Sequence, residues 1–178
     1  MATTESEMSL DYLLGGGQVK RYHTVQTIRS QNVAEHTWNL LTILFHLEPT
    51  PSLSVIKAAH YHDVHERETG DIPATAKWNY PQLGIASNEA EKAQHEKHGT
   101  WSELLPDEAR LLKFCDMLEL VHWTREENKL GNSHILPVLH NGLRHLFDNY
   151  ADMMDRYADK VIPFIDGVPF IQKEEKSA

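Results

Sequence analysis

Apolar residues recur at a helical period along most of this chain. Val33, Leu40, Leu44 and Leu47 form one stripe, and Asn32 just before it predicts an N-cap for a helix to about residue 47. Pro49 and Pro51 end that helix. Ser52 predicts the cap of a second helix running to about residue 66, with Val55, Ala58, Ala59, His62 and Glu66 on one face. Thr69-Gly70-Asp71-Ile72-Pro73 breaks the pattern, and a short helical turn is expected over 74–77. The stretch 87–99 reads as a polar, exposed helix. Pro106-Asp107-Glu108 is a first turn suited to the positive end of the next helix, whose face carries Ala109, Leu112, Asp116, Leu120 and Trp123. A last helical region is expected over about 135–157, started or interrupted by Pro137. Near the beginning, 9–14 predicts a short helix stopped by Gly15-Gly16-Gly17, and 18–31 reads as a loop. No stretch alternates with period two. The expected fold is therefore all-α, one helical domain over 1–178 with its core at about 9–160 and frayed polar ends at about 1–6 and 172–178.

Three of the predicted helices place a polar residue where the stripe demands an apolar one. His36 interrupts the first, His62 the second and Asp116 the third. A carboxylate in a core stripe is costly unless it is paired or bound to an ion. Asp63 follows His62 directly. Neighbours on a helix point about 100° apart, so both reach one ion only if it sits over the cleft between them. Taken singly, a stripe histidine is more often a satisfied core residue, and a buried aspartate more often a salt-bridge partner or a cap. Taken together, two imidazoles and two carboxylates make a mixed nitrogen and oxygen donor set. That set suits a borderline divalent ion such as zinc, cobalt or manganese. Glu66 lies one turn beyond His62 on the same face, where a carboxyl can exchange a proton with a water beside the ion. Lys113 lies one turn before Asp116 and can reach the same place, or it can pair with Asp116 or Glu119.

Composition narrows the partners. The chain has 178 residues, 40% of them hydrophobic, with a formal net charge of −9. Such a charge disfavours a nucleic-acid backbone, though a local basic cluster can still hold a phosphorylated small molecule. No apolar run is long enough for a membrane span, and the polar, acidic N-terminus has no secretory pattern. Cys115 is the only cysteine, which removes an internal disulfide and a multi-cysteine zinc site and fits a cytoplasmic location. There are twelve histidines. His65, His95 and His98 read as surface residues, and 125–129 as a solvated helix end. HExxH, a phosphate-binding glycine loop and Gly-x-Ser-x-Gly are all absent.

The segments Asn32-Val33-Ala34-Glu35-His36, His62-Asp63-Val64-His65-Glu66 and Thr69-Gly70-Asp71-Ile72-Pro73-Ala74-Thr75-Ala76-Lys77 resemble the HD-domain 5′-deoxynucleotidase family, with Asp116 downstream. The likeness covers about 15–125. Arg21-Tyr22 and Thr27-Ile28-Arg29-Ser30-Gln31-Asn32 look most similar to a phage branch of dATP triphosphohydrolases, which deplete dATP where the genome uses 2-aminoadenine. The resemblance implies an all-helical, metal-dependent homo-oligomer, a dimer or hexamer, working in the cytoplasm of the host cell if it is phage-encoded. It implies His36, His62, Asp63 and Asp116 as metal ligands and Glu66 as the acidic catalytic residue. It implies Asp71 as the acid that favours deoxyribose over ribose, and Arg21, Lys77 and Lys113 as phosphate contacts. Tyr22 stands where the 5′-deoxynucleotidases typically carry Trp, and its ring can still stack on a base. The expected reaction is hydrolysis of dATP to deoxyadenosine and triphosphate, with dADP and dAMP as further substrates. Alternatives are a 5′-deoxynucleotidase confined to monophosphates, a phosphodiesterase on cyclic or hyperphosphorylated nucleotides, and a non-catalytic nucleotide-binding module.

Overall fold

The computed structural model describes residues 5–166. The chain forms α1 (Glu5–Gly16), α2 (Val33–Leu47), α3 (Leu53–Tyr61), α4 (Glu66–Thr69), α5 (Ala74–Asn79), α6 (Pro81–His98), α7 (Pro106–Lys129), α8 (Leu136–Asn149), α9 (Ala151–Arg156) and α10 (Ala158–Ile165). Among the described residues there is no strand, only an isolated bridge between Lys20 and Asn32, so the fold is all-α as expected. The longest helix, α7, is the axis, packing on α2, α3 and α8. The core lies along it: Leu40 and Leu44 from α2, Val55 and Ala59 from α3, Phe114, Leu118 and Val121 from α7, and Leu139, Leu143 and Leu146 from α8. Each large side chain buried there stabilises the fold by about 1.5–3 kcal/mol. Gly142 lets α8 lie close against α7, since a Cβ there would stand 2.6 Å from Leu120 Cδ2.

The predicted caps are in place. Asn32 Oδ1 accepts from the Glu35 amide at 2.9 Å, and Ser52 Oγ from the Val55 amide at 3.2 Å. Several boundaries differ from expectation. The second helix stops at Tyr61, not near Glu66, and 62–65 form tight turns closed by bonds such as Val64 N–H to the Tyr61 carbonyl at 2.9 Å. This break resolves the problem of adjacent donors, because His62 and Asp63 no longer radiate from one continuous helix. The first helix runs through Gly15 and Gly16. Gly16 is needed there for contact with the following layer, as a Cβ would stand 2.8 Å from Val64 Cγ2. The polar helix starts at Pro81, six residues before Ser87, and α5 extends to Asn79. The region expected over 135–157 holds two helices, α8 and α9, parted at Tyr150, and α10 follows Tyr157 beyond the expected end; the two tyrosine rings lie 5.8 and 6.4 Å from the Phe114 ring. Ala109 is exposed and does not join the core face of α7. Of the expected frayed ends, 5–6 begin α1, whereas 1–4 and 172–178 lie outside the described residues.

Two surface assignments are corrected. His65 and His95 are buried, at 4% and 5% exposure, because α6 folds back beside the 62–65 turns. Glu127 is fully buried at the supposedly solvated end of α7. Its carboxylate accepts the Ile28 and Arg29 amides at 2.7 and 3.0 Å, and so ties the 18–31 loop to α7.

Candidate active site

α2, the 62–65 turns and α7 bring His36, His62 and Asp116 together, with Asp63 against the two histidines. His36 Nε2 lies 3.0 Å from His62 Nε2, 3.5 Å from Asp63 Oδ2 and 3.3 Å from Asp116 Oδ1. His62 Nε2 lies 3.1 Å from Asp63 Oδ2. The tautomers follow from the other ring nitrogens. His62 Nδ1–H donates to the Ala59 carbonyl at 2.9 Å, and His36 Nδ1–H donates to Glu119 Oε2 at 2.7 Å. Each Nε2 of a neutral ring therefore aims a lone pair at the other and at two carboxylates. That arrangement repels itself unless positive charge stands between the four atoms. Even a proton is held firmly there. Burial opposes charging His36 and Arg21 repels it, but hydrogen bonds to Asp116 and Glu119 outweigh both and push its pKa up to about 9. Burial also opposes ionisation of Asp63, yet His62 and Arg21 hold its carboxyl well below the usual carboxylate range. Asp116 is likewise held well below that range, by His36 and Lys113 against its burial. His36, His62 and Asp116 have donor atoms all within 4.8 Å of one another, and Asp63 Oδ2 lies beside the two histidines, where it is also paired with Arg21. A nitrogen and oxygen set of this size fits a divalent transition metal.

A cavity of about 230 Å³ opens beside this point. It is lined by His62, Asp63 and Asp116 and by every other sequence-picked residue: Arg21, Tyr22, Glu66, Asp71, Lys77 and Lys113. His36 sits behind it, fully buried. Glu66 is 5% exposed, and its Oε2 has no hydrogen-bond partner. Burial and the nearby Asp63 charge push its pKa up to about 9, so the carboxyl keeps its proton at neutral pH. That is the state a general acid needs. Lys113 is held in its charged form chiefly by Asp116. Arg21 is differently placed from a free phosphate contact, since its NH1 pairs with Asp63 Oδ2 at 2.6 Å.

Asp71 and Tyr22 form one unit. Asp71 Oδ2 accepts the Tyr22 amide at 3.2 Å, and Tyr22 has a φ of 56°, a left-handed conformation that costs a side-chain-bearing residue about 1–2 kcal/mol. The Tyr22 ring stacks on Trp123, centroids 4.2 Å apart and planes 9° from parallel. One ring face is thus occupied by the protein. Trp123 was read from the sequence only as a core position.

Sequence reasoning missed the residues behind the donors. Glu119 is fully buried and accepts from Gln31 Nε2 at 2.7 Å and Asn39 Nδ2 at 3.0 Å as well as from His36. Its spacing of three from Asp116 on α7 was the available signal. A carboxylate on the distal ring nitrogen fixes the tautomer and strengthens the imidazole as a ligand.

The HD-domain profile matches residues 18–160. The chain belongs to the HD-domain family. Among curated HD relatives, the dATP triphosphohydrolase of cyanophage S-2L is 29% identical over 150 residues, covering 79% of this chain and 84% of that protein. A 5′-deoxynucleotidase of Salmonella arizonae is 25% identical over 121 residues, covering 63% of this chain and only 59% of that enzyme's length. Among solved structures, the cyanophage S-2L HD phosphohydrolase bound to dA and one catalytic Zn²⁺ ion matches with a TM-score of 0.66 at 23% identity, covering 94% of this chain and 100% of that one. A Pyrococcus horikoshii protein matches with a TM-score of 0.70 at 14% identity, covering 89% and 98%. At such identities the shared property is the HD fold.

Proposed function

We propose that this HD-domain phosphohydrolase holds a divalent ion (zinc, cobalt or manganese) on His36, His62, Asp63 and Asp116, and cleaves 2′-deoxynucleotides. Its preferred reaction is dATP and water to deoxyadenosine and triphosphate. The observation that carries this reading is the convergence of His36, His62 and Asp116, with Asp63 against both imidazoles, whose Nδ1 atoms are each tied to a protein oxygen so that both Nε2 atoms face inward. When bound, such an ion acidifies water and polarises a phosphoryl oxygen. The side chains do the rest. Water adds its oxygen to the α-phosphorus as the bond from that phosphorus to the 5′-oxygen breaks. Glu66 gives its proton to the departing 5′-oxygen and recovers one from the attacking water. Lys77 and Lys113 neutralise the triphosphate chain. Asp71 lies by the sugar and rejects ribose, and Tyr22, braced by Trp123, offers its remaining surface to the base.

One observation favours a narrower second reading. Arg21 is already engaged by Asp63, which leaves two lining cations, Lys77 and Lys113, for phosphate. A monophosphate needs fewer, so a 5′-deoxynucleotidase confined to monophosphates is the rival. Assembly into a homo-oligomer fits the exposed apolar groove of Leu10, Leu14 and Trp38, which are 59%, 66% and 73% exposed. No helix among the described residues is long and apolar enough to cross a membrane, and a cytoplasmic site of action is part of the same proposal. The test is phosphate and triphosphate release from a panel of deoxy- and ribonucleotides with added Mn²⁺ or Co²⁺. Release that requires the ion and prefers deoxynucleotides is expected. Turnover of cyclic nucleotides instead, or no turnover at all, overturns the proposal.

A further inference from the structure

Residues 21–31 contain no helix or strand, so their backbone amides need partners from elsewhere in the chain. Four of them, Arg21, Tyr22, Thr24 and Val25, line the cavity. The residues just after these are gripped from behind by one carboxylate. Glu127 Oε2 accepts the Ile28 amide at 2.7 Å, and Oε1 accepts the Arg29 amide at 3.0 Å and Arg29 Nε–H at 3.1 Å. Asn132 Nδ2 donates both to Glu127 Oε2, at 3.0 Å, and to the Gln26 carbonyl, at 2.9 Å. A buried carboxylate is costly unless it is satisfied, and these donors satisfy this one. Burial opposes its ionisation, but the bonds from Asn132, Ile28 and Arg29 hold the carboxyl below the usual carboxylate range. The chemistry proposed above makes no use of it.

This grip is connected to the cavity wall. Glu127 lies one turn beyond Trp123 on α7. Arg29, held by Glu127, places its guanidinium carbon 5.4 Å from the centre of the Trp123 ring. Trp123 is 1% exposed, and the Tyr22 ring stacks on it. Trp123 Nε1 and Arg29 Nη2 are buried without a hydrogen-bond partner, so ring packing and the Glu127 bond hold this stack. We propose that Glu127 is a positioning residue for substrate. It holds 26–29 against α7, sets Arg29 against Trp123, and so fixes the wall formed by Tyr22, Thr24 and Val25 without touching substrate. Arg21 is anchored separately, its amide on the Gln31 carbonyl at 3.0 Å and its guanidinium on Asp63. Loss of the grip should therefore loosen this wall and spare the metal donors. That a nucleotide base lies against the wall rests on the proposed function. The link from Glu127 to the wall does not.

The test is steady-state kinetics of the full chain carrying Glu127→Gln, which keeps the shape but turns one acceptor oxygen into a donor facing an amide N–H. The KM for dAMP should rise on the order of tenfold, with kcat and bound metal unchanged. The inhibition constant of 2-deoxyribose 5-phosphate, which has no base to meet the wall, should not move. A fold-wide defect would lower kcat, release metal and weaken both compounds alike. That result overturns the inference, as does an unchanged KM for dAMP. Arg29→Met keeps both backbone bonds and removes only the guanidinium, so it decides the question if Glu127→Gln fails to fold. It should raise the KM for dAMP by a smaller factor, and no rise there overturns the inference. Limited trypsin digestion reads the link without turnover. Cleavage after Lys20 or Arg29 should quicken in Glu127→Gln while circular dichroism shows equal helix content. Faster cleavage in a protein with no deoxynucleotide turnover keeps the link and sinks the proposed function. Brisk dAMP turnover with KM and cleavage both unchanged does the reverse.

Discussion

The two histidine clusters beside this cavity are built differently. His36, His62, Asp63 and Asp116 arrive from α2, the 62–65 turns and α7, the helices that also make the core. Behind them stands Glu119, itself held by Gln31 and Asn39. His65, Glu91 and His95 come from the same turns and from α6, a polar helix at the margin, and the bonds behind them run to a carbonyl and a hydroxyl. The first group concentrates two carboxylates and a third just behind; the second has one. A dense negative charge set in a rigid core calls for positive charge beside it, which an ion would supply. The second set, with one carboxylate and with both histidines bonded to neutral oxygens, needs no added positive charge. Loss of each should therefore read out differently, the first in bound metal and activity and the second in the packing of α6.

The largest effect is expected at the first group. Asp63→Ala should lose the tightly held ion and nearly all activity while keeping most of its helix content. Elemental analysis and circular dichroism check it, and an Asp63→Ala protein that keeps this ion would erase the contrast. Next comes Glu66→Gln, which should retain the ion and lose on the order of 10²-fold or more in kcat. The sign of its pH dependence is fixed. As the proposed proton donor Glu66 would work protonated, and its raised pKa means the proton is lost only at high pH, so the wild-type rate should fall on the alkaline side. That limb should vanish in Glu66→Gln, and its persistence there would assign the proton to another group.

Glu119→Gln removes the charge behind His36 and keeps an acceptor. It should weaken the ion by about 10–100-fold and leave the His95 group unchanged. Competition with a fluorescent zinc chelator measures it. Unchanged affinity would show that the charge behind His36 does not help to hold the ion. The smallest effect is expected at the sugar. Asp71→Ala should raise ribonucleotide use relative to deoxynucleotide use by several-fold, and an unchanged ratio in competition assays would remove Asp71 from sugar selection.

The pattern of the chain predicted the core well because the stripes of α2 and α7 are long and their caps local. Asn32 and Ser52 act on residues three positions away, a range that sequence reading covers. The same logic placed His36, His62 and Asp116, since each breaks an apolar stripe, and Asp63 came in as the neighbour of His62. What was not legible depended on distant partners. His65 and His95 are polar residues in polar surroundings, and only the return of α6 buries them. Glu127 looks like any helix-end acid until the 18–31 loop lays two amides on its carboxylate. The break at Tyr61 has no proline or glycine to announce it; it follows from the turn bonds around His62. Arg21 was placed on the cavity correctly, but its pairing with Asp63 depends on the three-dimensional path of the loop.

The central claim is that the cavity cleaves a 2′-deoxynucleotide at the α-phosphorus. Ion-exchange analysis of early products from dATP, with Co²⁺ present, tests it most directly. Deoxyadenosine and intact triphosphate should appear together from the first time point, with no dADP or dAMP preceding them. Release of dADP or dAMP before any deoxyadenosine would place the attack elsewhere on the chain and contradict the account.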